Sequence, residues 1–393
     1  MYELLNIYKN KYWFIDMPLF FIIFFSLYTI INSYIFVRGW QALSIYPQLR
    51  IFYAIIFFLF ASSYIIARAF SNNLPDLIYT LLIWIGSFYF MLMFYLFLLF
   101  LLADLIYLTN NIFRIFPENF YAKNSRSRFI VAFVISMITI VFAVYGYINR
   151  SNIKIKELDI VLHNPFNKNY RIVFFSDLHV SVVNNHNFLD NVVHQINSLE
   201  PDLILIGGDL IDEKSDKLRK LELAENLKNL NASLGVYSIT GNHEYINGVD
   251  STVKFLEDLG INFLRDEEIL IDNAFYVVGR EDRSISMFTK KERKSLKELI
   301  DKLDRDKPII LLDHQPIDLN EAVQHGITLQ LSGHTHHGQI APANLITKRV
   351  YELSWGYKRK GNSHFYVSSG IGTWGPPIKI GNDAEIVFIN FSF

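Results

Sequence analysis

Four apolar stretches, Tyr12–Val37, Ile51–Phe70, Ile78–Leu108 and Phe129–Ile148, dominate the first part of the chain. A helix needs about 20 apolar residues to cross the hydrocarbon of a bilayer, and each stretch reaches that length. One such stretch would fit a buried core helix; four in succession predict membrane spans. Lipid offers no partner to backbone N–H and C=O groups, so these spans must be helices. The third is longer than a bilayer needs and has room to tilt or protrude. Several spans follow the first, which argues against a cleaved signal peptide. Residues 1–150 carry only 10 Lys/Arg and 5 Asp/Glu of the chain's 37 and 38, and none of its 11 histidines. The expected organisation is an all-α transmembrane domain over 1–150, followed by a globular domain over 151–393.

Charge around the spans bears on sidedness. Arg114, Lys123, Arg126 and Arg128 make the loop before the fourth span the most basic. Positive loops favour the cytoplasm, which places 151–393 outside. Lys9, Lys11, Arg38, Arg50 and Arg68 are spread over the other flanks, and Arg150, Lys154 and Lys156 oppose the outside placement. Asp16 and Asp104 lie near span ends and read as interfacial; Trp13 and Trp40 fit an aromatic belt. The net charge of -1 gives no global field for nucleic acid, so no such partner is expected. Without cysteine, disulfides, thiolate ligands and a Cys nucleophile are excluded.

In the second part, short apolar runs alternate with helical patterns, which predicts an α/β fold. The expected strands are Ile153–His163, Ile172–Phe175, Leu203–Gly207, Leu234–Thr240, Ile261–Leu264, Ile269–Ile271, Phe275–Val278, Pro308–Leu312 and Ile327–Leu331. A β-rich tail follows them. Helices are expected over Asn187–Leu199, Lys217–Leu230, Val253–Leu259 and Lys290–Leu303. Five runs end in a polar cluster: Asp177-Leu178-His179, Gly208-Asp209, Gly241-Asn242-His243-Glu244, Asp313-His314 and Gly333-His334-Thr335-His336-His337. Singly, each reads as a turn or a capping group. In series at strand ends, where α/β folds place function, they predict a metal centre.

Asp177, His179, Asp209, Asn242, His314, His334 and His336 offer oxygen and nitrogen donors suited to Mn, Fe or Zn. A carboxylate such as Asp209 can bridge two divalent ions. A pair about 3.5–4 Å apart can activate a bridging hydroxide for in-line attack on a phosphate. Gly208, Gly241 and Gly333 permit close backbone approach. If Asn242 faces a metal, His243 sits over the phosphate edge, to stabilise the transition state or protonate the leaving oxygen. Glu244 either orients that ring or is a plain surface carboxylate.

The series resembles the calcineurin-like metallophosphoesterases, whose pattern is D-x-H, G-D, G-N-H-[DE], H and G-H-x-H. The resemblance covers roughly residues 165–393. It implies a four-layer α/β/β/α sandwich with two divalent ions. Asp177, His179, Asp209 and His336 would hold one ion, and Asp209, Asn242, His314 and His334 the other, with His243 as the catalytic imidazole. The finer resemblance is to a membrane-associated branch, through the Gly333–Gln339 block and the tail Tyr366–Pro377. His337 stands where that branch commonly has Gly, and either lines the substrate pocket or is a solvated spare imidazole. Within Gly279-Arg280-Glu281-Asp282-Arg283, Arg280 or Arg283 either contacts phosphate or pairs with Asp282. His163, His186, His194, His325 and His364 lack motif context and read as ordinary residues.

The function expected is a membrane-anchored, metal-dependent phosphodiesterase or phosphomonoesterase in a bacterial cell membrane. Its partners would be the bilayer and a phosphoester substrate that is lipid-linked or from the cell envelope. Two alternatives stand beside it. One is a UDP-diacylglucosamine pyrophosphohydrolase of lipid A synthesis, which needs a cytoplasmic site. The other is a catalytically silent membrane sensor or scaffold. Oligomeric state is not legible.

Overall fold

The computed structural model describes residues 17–115, 125–162 and 168–393. Lys9, Lys11, Trp13, Asp16, Lys123, His163 and the start of the first expected span lie outside them. The chain divides between Ala143 and Val144 into two compact units.

In the first unit, apolar runs form long helices: α1 (Met17–Ala42), α2 (Arg50–Ala69), α3 (Asp76–Phe113) and most of α4 (Ser125–Ser151). All four are long and apolar enough to cross a membrane. At 38 residues, α3 is about 57 Å long, well beyond the ~30 Å of hydrocarbon. Large side chains such as Ile22, Ile51, Phe52 and Leu77 are exposed. In water that surface would be costly; lipid is the solvent that fits it. Asp104 is half-buried and pairs with Arg38, while Tyr34 donates to the same carboxylate oxygen. The acid is thereby satisfied inside its own unit.

In the second unit, short apolar runs, continuous in the central strands, make two six-stranded sheets. The first runs β1 (Lys154–Val161), β12 (Glu385–Ser392), β2 (Asn169–Phe175), β3 (Leu203–Ile206), β4 (Val236–Ser238), β5 (Asn262–Phe263). The second runs β10 (Gly356–Lys360), β11 (Ser363–Val367), β9 (Leu329–Ser332), β8 (Ile309–Leu312), β7 (Phe275–Gly279), β6 (Glu267–Ile271). Strands β2 to β5 are parallel neighbours, as are β7, β8, β9 and β11. Ile172, Phe174, Leu203 and Leu205 from one sheet join Val277, Ile310, Leu312 and Leu331 from the other in one shared core. The alternate residues point the other way. Ile309 and Leu311 pack with Leu296, Leu299 and Leu319 of helices α10 (Leu296–Ile300) and α11 (Leu319–Gln324). Val173, Phe175, Ile204 and Ile206 are buried on the opposite outer face. Each fully buried side chain of this kind contributes about 1.5–3 kcal/mol, and both faces of the central strands are covered, as in an α/β/β/α sandwich.

The other helices are α5 (His186–Ser198), α6 (Ser215–Lys220), α7 (Asn242–Ile246), α8 (Val249–Glu257), α9 (Ile285–Thr289) and α12 (Ala343–Val350). Two expected helices are broken. Lys217–Leu230 holds only the end of α6 and a 3-10 turn at Glu225–Asn229, with left-handed Glu222 between (φ 51°). Lys290–Leu303 begins with left-handed Lys290 (φ 60°), and its helix starts only where the Ser295 side chain caps Glu298.

Candidate metal centre

The parallel pairing brings loop ends together. Strands β2, β3 and β4 of one sheet lead to Asp177, Asp209 and Asn242; β8 and β9 of the other lead to His314 and His334. Backbone shape sharpens the convergence. Asp177, His179, Asp209, His334 and His336 all have left-handed φ, between 46° and 69°. Such backbone costs about 1–3 kcal/mol per non-glycine residue and gathers at functional sites. Gly333 is required here because a Cβ would collide with Asp177 Oδ2 and the Ser176 side chain.

Asp177, His179 and His336 each bring a donor atom to within 4.8 Å of the others, and so do Asp209, His314 and His334. In the first group, His336 Nε2 lies 2.9 Å from His179 Nε2 and 3.4 Å from Asp177 Oδ1. In the second, Asn242 Oδ1 lies 2.9 Å from His334 Nδ1. One carboxylate of the second group also approaches the first: Asp209 Oδ2 is 3.1 Å from His314 Nε2 and 4.0 Å from His179 Nε2. All seven sequence-predicted donors therefore meet in one place.

The donor set fits cations. Two imidazole nitrogens face each other beside two buried carboxylates, and His336 Nδ1 has no hydrogen-bond partner among the described residues. Lone pairs gathered away from water in this way are stabilised by a positive ion. Burial, with the charge of His314 adding to it, pushes His334 down to about 3. Burial, then His179, holds His336 well below the usual imidazole range. Both rings are thus neutral, the form that ligates. For Asp209 burial opposes ionisation, but His314 and His243 outweigh it and hold the carboxyl well below its usual range. His314 Nδ1 is 2.7 Å from the Gly207 carbonyl, which as acceptor makes Nδ1 the donor and turns Nε2 toward Asp209.

The calcineurin-like phosphoesterase family pattern matches residues 170–338. An uncharacterised metallophosphoesterase of Campylobacter jejuni is 30% identical over 66% of this chain and 69% of its own length. The chain belongs to the calcineurin-like metallophosphoesterases. A Helicobacter pylori metallophosphoesterase is 37% identical over 60% of this chain. A zebrafish transmembrane protein with a metallophosphoesterase domain is 31% identical over 64% of it. The match spans 63% of the Helicobacter relative and 61% of the zebrafish one. The chain thus spans less than two thirds of those two relatives, and it carries four helices long and apolar enough to cross a membrane.

Several residues around the centre were not singled out from the sequence. Asp212 Oδ1 lies 2.8 Å from His179 Nδ1 and 2.6 Å from His243 Nδ1. It therefore orients a metal-group histidine and the ring beside it. The rings of His243 and His179 meet edge to face at 4.6 Å. Burial pushes the His243 pKa down, but Asp209 and Asp212 outweigh it and raise it to about 9. Glu244 is neither a surface carboxylate nor the group that orients His243. It is fully buried and accepts from the backbone N–H of Asp209, Leu210 and Gly241 at 2.7–3.0 Å, which fixes two metallophosphoesterase loops to each other. Asn184 donates to the carbonyls of His179 and Thr373, both at 2.9 Å, and accepts from Arg150 at 2.8 Å. Lys379, fully buried, donates to the carbonyls of Ser369 and Gly370 at 2.6 Å. A Cβ on Gly370 would lie 2.9 Å from Asp177 Cβ, so Lys379 supports the strap under the first donor group.

Two expectations are corrected. Arg280 does not pair with Asp282: it is buried, and its Nη1 is shared by Asp313 and Glu321 at 3.3 and 2.7 Å, while its Nε has no acceptor among the described residues. Asp282 instead accepts from Gln315 and the Ser284 N–H. His337 is not a solvated spare ring, being buried against Trp355, with Nδ1 3.2 Å from Ser354 Oγ. Arg283 keeps an Nε with no acceptor among the described residues, and burial, with Arg293 adding to it, lowers its pKa.

Proposed function

We propose that this metallophosphoesterase is a membrane-anchored phosphodiesterase or phosphomonoesterase working with two divalent cations, Mn, Fe or Zn, on a lipid-linked or cell-envelope phosphoester. The observation that carries the reading is the position of Asp209 Oδ2 between the two donor groups. Asp177, His179 and His336 would hold one cation and Asn242, His314 and His334 the other, with Asp209 shared. Cations bound there would neutralise charge on phosphoryl oxygens and lower the pKa of a water ligand.

The chain's own residues supply the remaining steps. Asp212 fixes Nδ1 of His243, which leaves Nε2 to face the substrate. With Nδ1 held by Asp212, Nε2 is the atom set to give a proton to the leaving oxygen. Arg280 has its Nη1 held by Asp313 and Glu321, which leaves Arg283 the better candidate for a phosphate contact. The basic loop before α4 supports placing this chemistry outside the cell.

Hydrolysis of bis-p-nitrophenyl phosphate by the full chain with Mn tests the proposal. Activity should vanish with a chelator and in Asp209→Asn, and fall about 10²–10⁴-fold in His243→Ala. An Asp209→Asn variant as active as the parent would refute the shared carboxylate.

A further inference from the structure

The segment between the metal-centre histidines and the edge strand β10 is built unlike the rest of the second unit. None of the residues of α12 is buried. Leu345, Ile346 and Val350 are 65%, 66% and 53% exposed. At 100° per residue these three fall within one broad arc, with Arg349 among them and Lys348 at its margin. Trp355 and Tyr357 continue the exposed apolar surface. Across 343–360 the charges are Lys348, Arg349, Lys358, Arg359 and Lys360 against Glu352, which accepts from Lys358 and Lys360. The segment is apolar, aromatic and net basic.

It is also joined to the centre. The Tyr351 ring lies 6.3 Å from that of His334, and Trp355 lies 5.2 Å from His337. Thr335 Oγ1 donates to the Ser354 carbonyl at 2.6 Å. At the other margin, Trp374 is 57% exposed with its ring 6.2 Å from His243.

We propose that α12 and the segment to Lys360 dock on the anionic lipid surface of the membrane that anchors the chain. Three observations select that occupant. Exposed Leu345, Ile346 and Val350 beside Arg349, Lys348, Trp355 and Tyr357 combine the apolar, basic and aromatic groups that hold a segment at a bilayer interface. Its net positive charge complements acidic headgroups. Only Asn152 and Ile153 separate the last apolar helix from β1 in the chain, so the link between the anchoring helices and the sheets is short. Docking brings the rim of the metal centre to headgroup depth, where a lipid phosphoester is presented without leaving its leaflet. The inference concerns the surface, and it stands or falls separately from turnover.

The chain has no cysteine, so Ile346→Cys in the full chain takes a single environment-sensitive fluorophore. The exposed Glu257→Cys on α8 serves as the reference. In vesicles of phosphatidylglycerol and phosphatidylcholine carrying a doxyl-labelled lipid, emission at 346 should be blue-shifted and quenched several-fold more than at 257. Equal emission and quenching at the two positions would overturn the proposal. So would a blue shift at 346 that the labelled lipid does not quench, because protein would then be the cover. Hydrogen exchange on the unlabelled chain gives a second reading that needs no variant. Amides of 343–351 should be more protected in phosphatidylglycerol vesicles than in phosphatidylcholine alone, and equal protection would count against an electrostatic dock.

Discussion

At the scale of single residues, the centre depends on groups that never touch a cation. Asp212 receives both His179 and His243, so it fixes one ligand's tautomer and the other ring's charge. Asp212→Asn should weaken metal binding about 10–100-fold, as loss of an outer hydrogen-bond partner does. It should also move the alkaline limb of the kcat/KM profile to lower pH, because His243 would lose its proton earlier. Metal titration and a pH–rate series check both, and an unmoved limb would contradict the role given to Asp212. Lys379 carries a different signature. Burial lowers its pKa from 10.5 to about 8, against the pull of Glu385 and Asp177. Between those values the unfolded chain binds a proton that the folded chain lacks, so Lys379 adds stability as pH rises through that window. Lys379→Met should remove this upward slope, seen as the parent-minus-variant difference in denaturant unfolding from pH 7 to 10. Neither residue was legible in the sequence. Asp212 follows Leu210-Ile211 as a loop acid would, and Lys379 sits in a Gly/Pro-rich tail. The metal-group donors were legible because each follows an apolar run whose strand fixes where its end must lie.

At the scale of elements, short loops are held by other parts of the chain. Arg150, in the last turn of α4, reaches Asn184 and the Val183 carbonyl, and Asn184 holds the carbonyls of Leu178, His179 and Thr373. Arg150→Met should cost about 1.5–3 kcal/mol of stability, the range for hydrogen bonds to a charged group. It should also weaken metal binding through the loop carrying Asp177 and His179, read by denaturation with and without Mn. Unchanged metal affinity would confine Arg150 to a purely structural role. Strands were the most legible elements, since runs such as Leu203–Ile206 are apolar on both faces. Charged helices were the least. Lys290–Leu303 has helical spacing, but Arg293 turns inward to Asp313 at 3.0 Å, which a continuous helix from Lys290 would not require. The cap at Ser295 with Glu298 was the signal for the true start. Helix α12 was missed because its apolar residues face no core.

At the scale of the molecule, one chain carries two solvents' worth of chemistry. The first unit exposes Leu, Ile and Phe and satisfies Asp104 internally; the second buries the same residue types between sheets and keeps polar groups at strand ends. That contrast was visible in the distribution of charge and histidine alone. What composition could not give was the meeting of loops from both sheets around Asp209, which depends on parallel pairing across distant segments. The shared position of that carboxylate is the account's central claim. Crystals of the full chain grown with Mn and measured at its absorption edge test it most directly. The account predicts two anomalous peaks about 3.5–4 Å apart, both within bonding distance of Asp209, with Asp177 and His336 on one and His314 and His334 on the other. A single peak, or a pair that does not share Asp209, would contradict it.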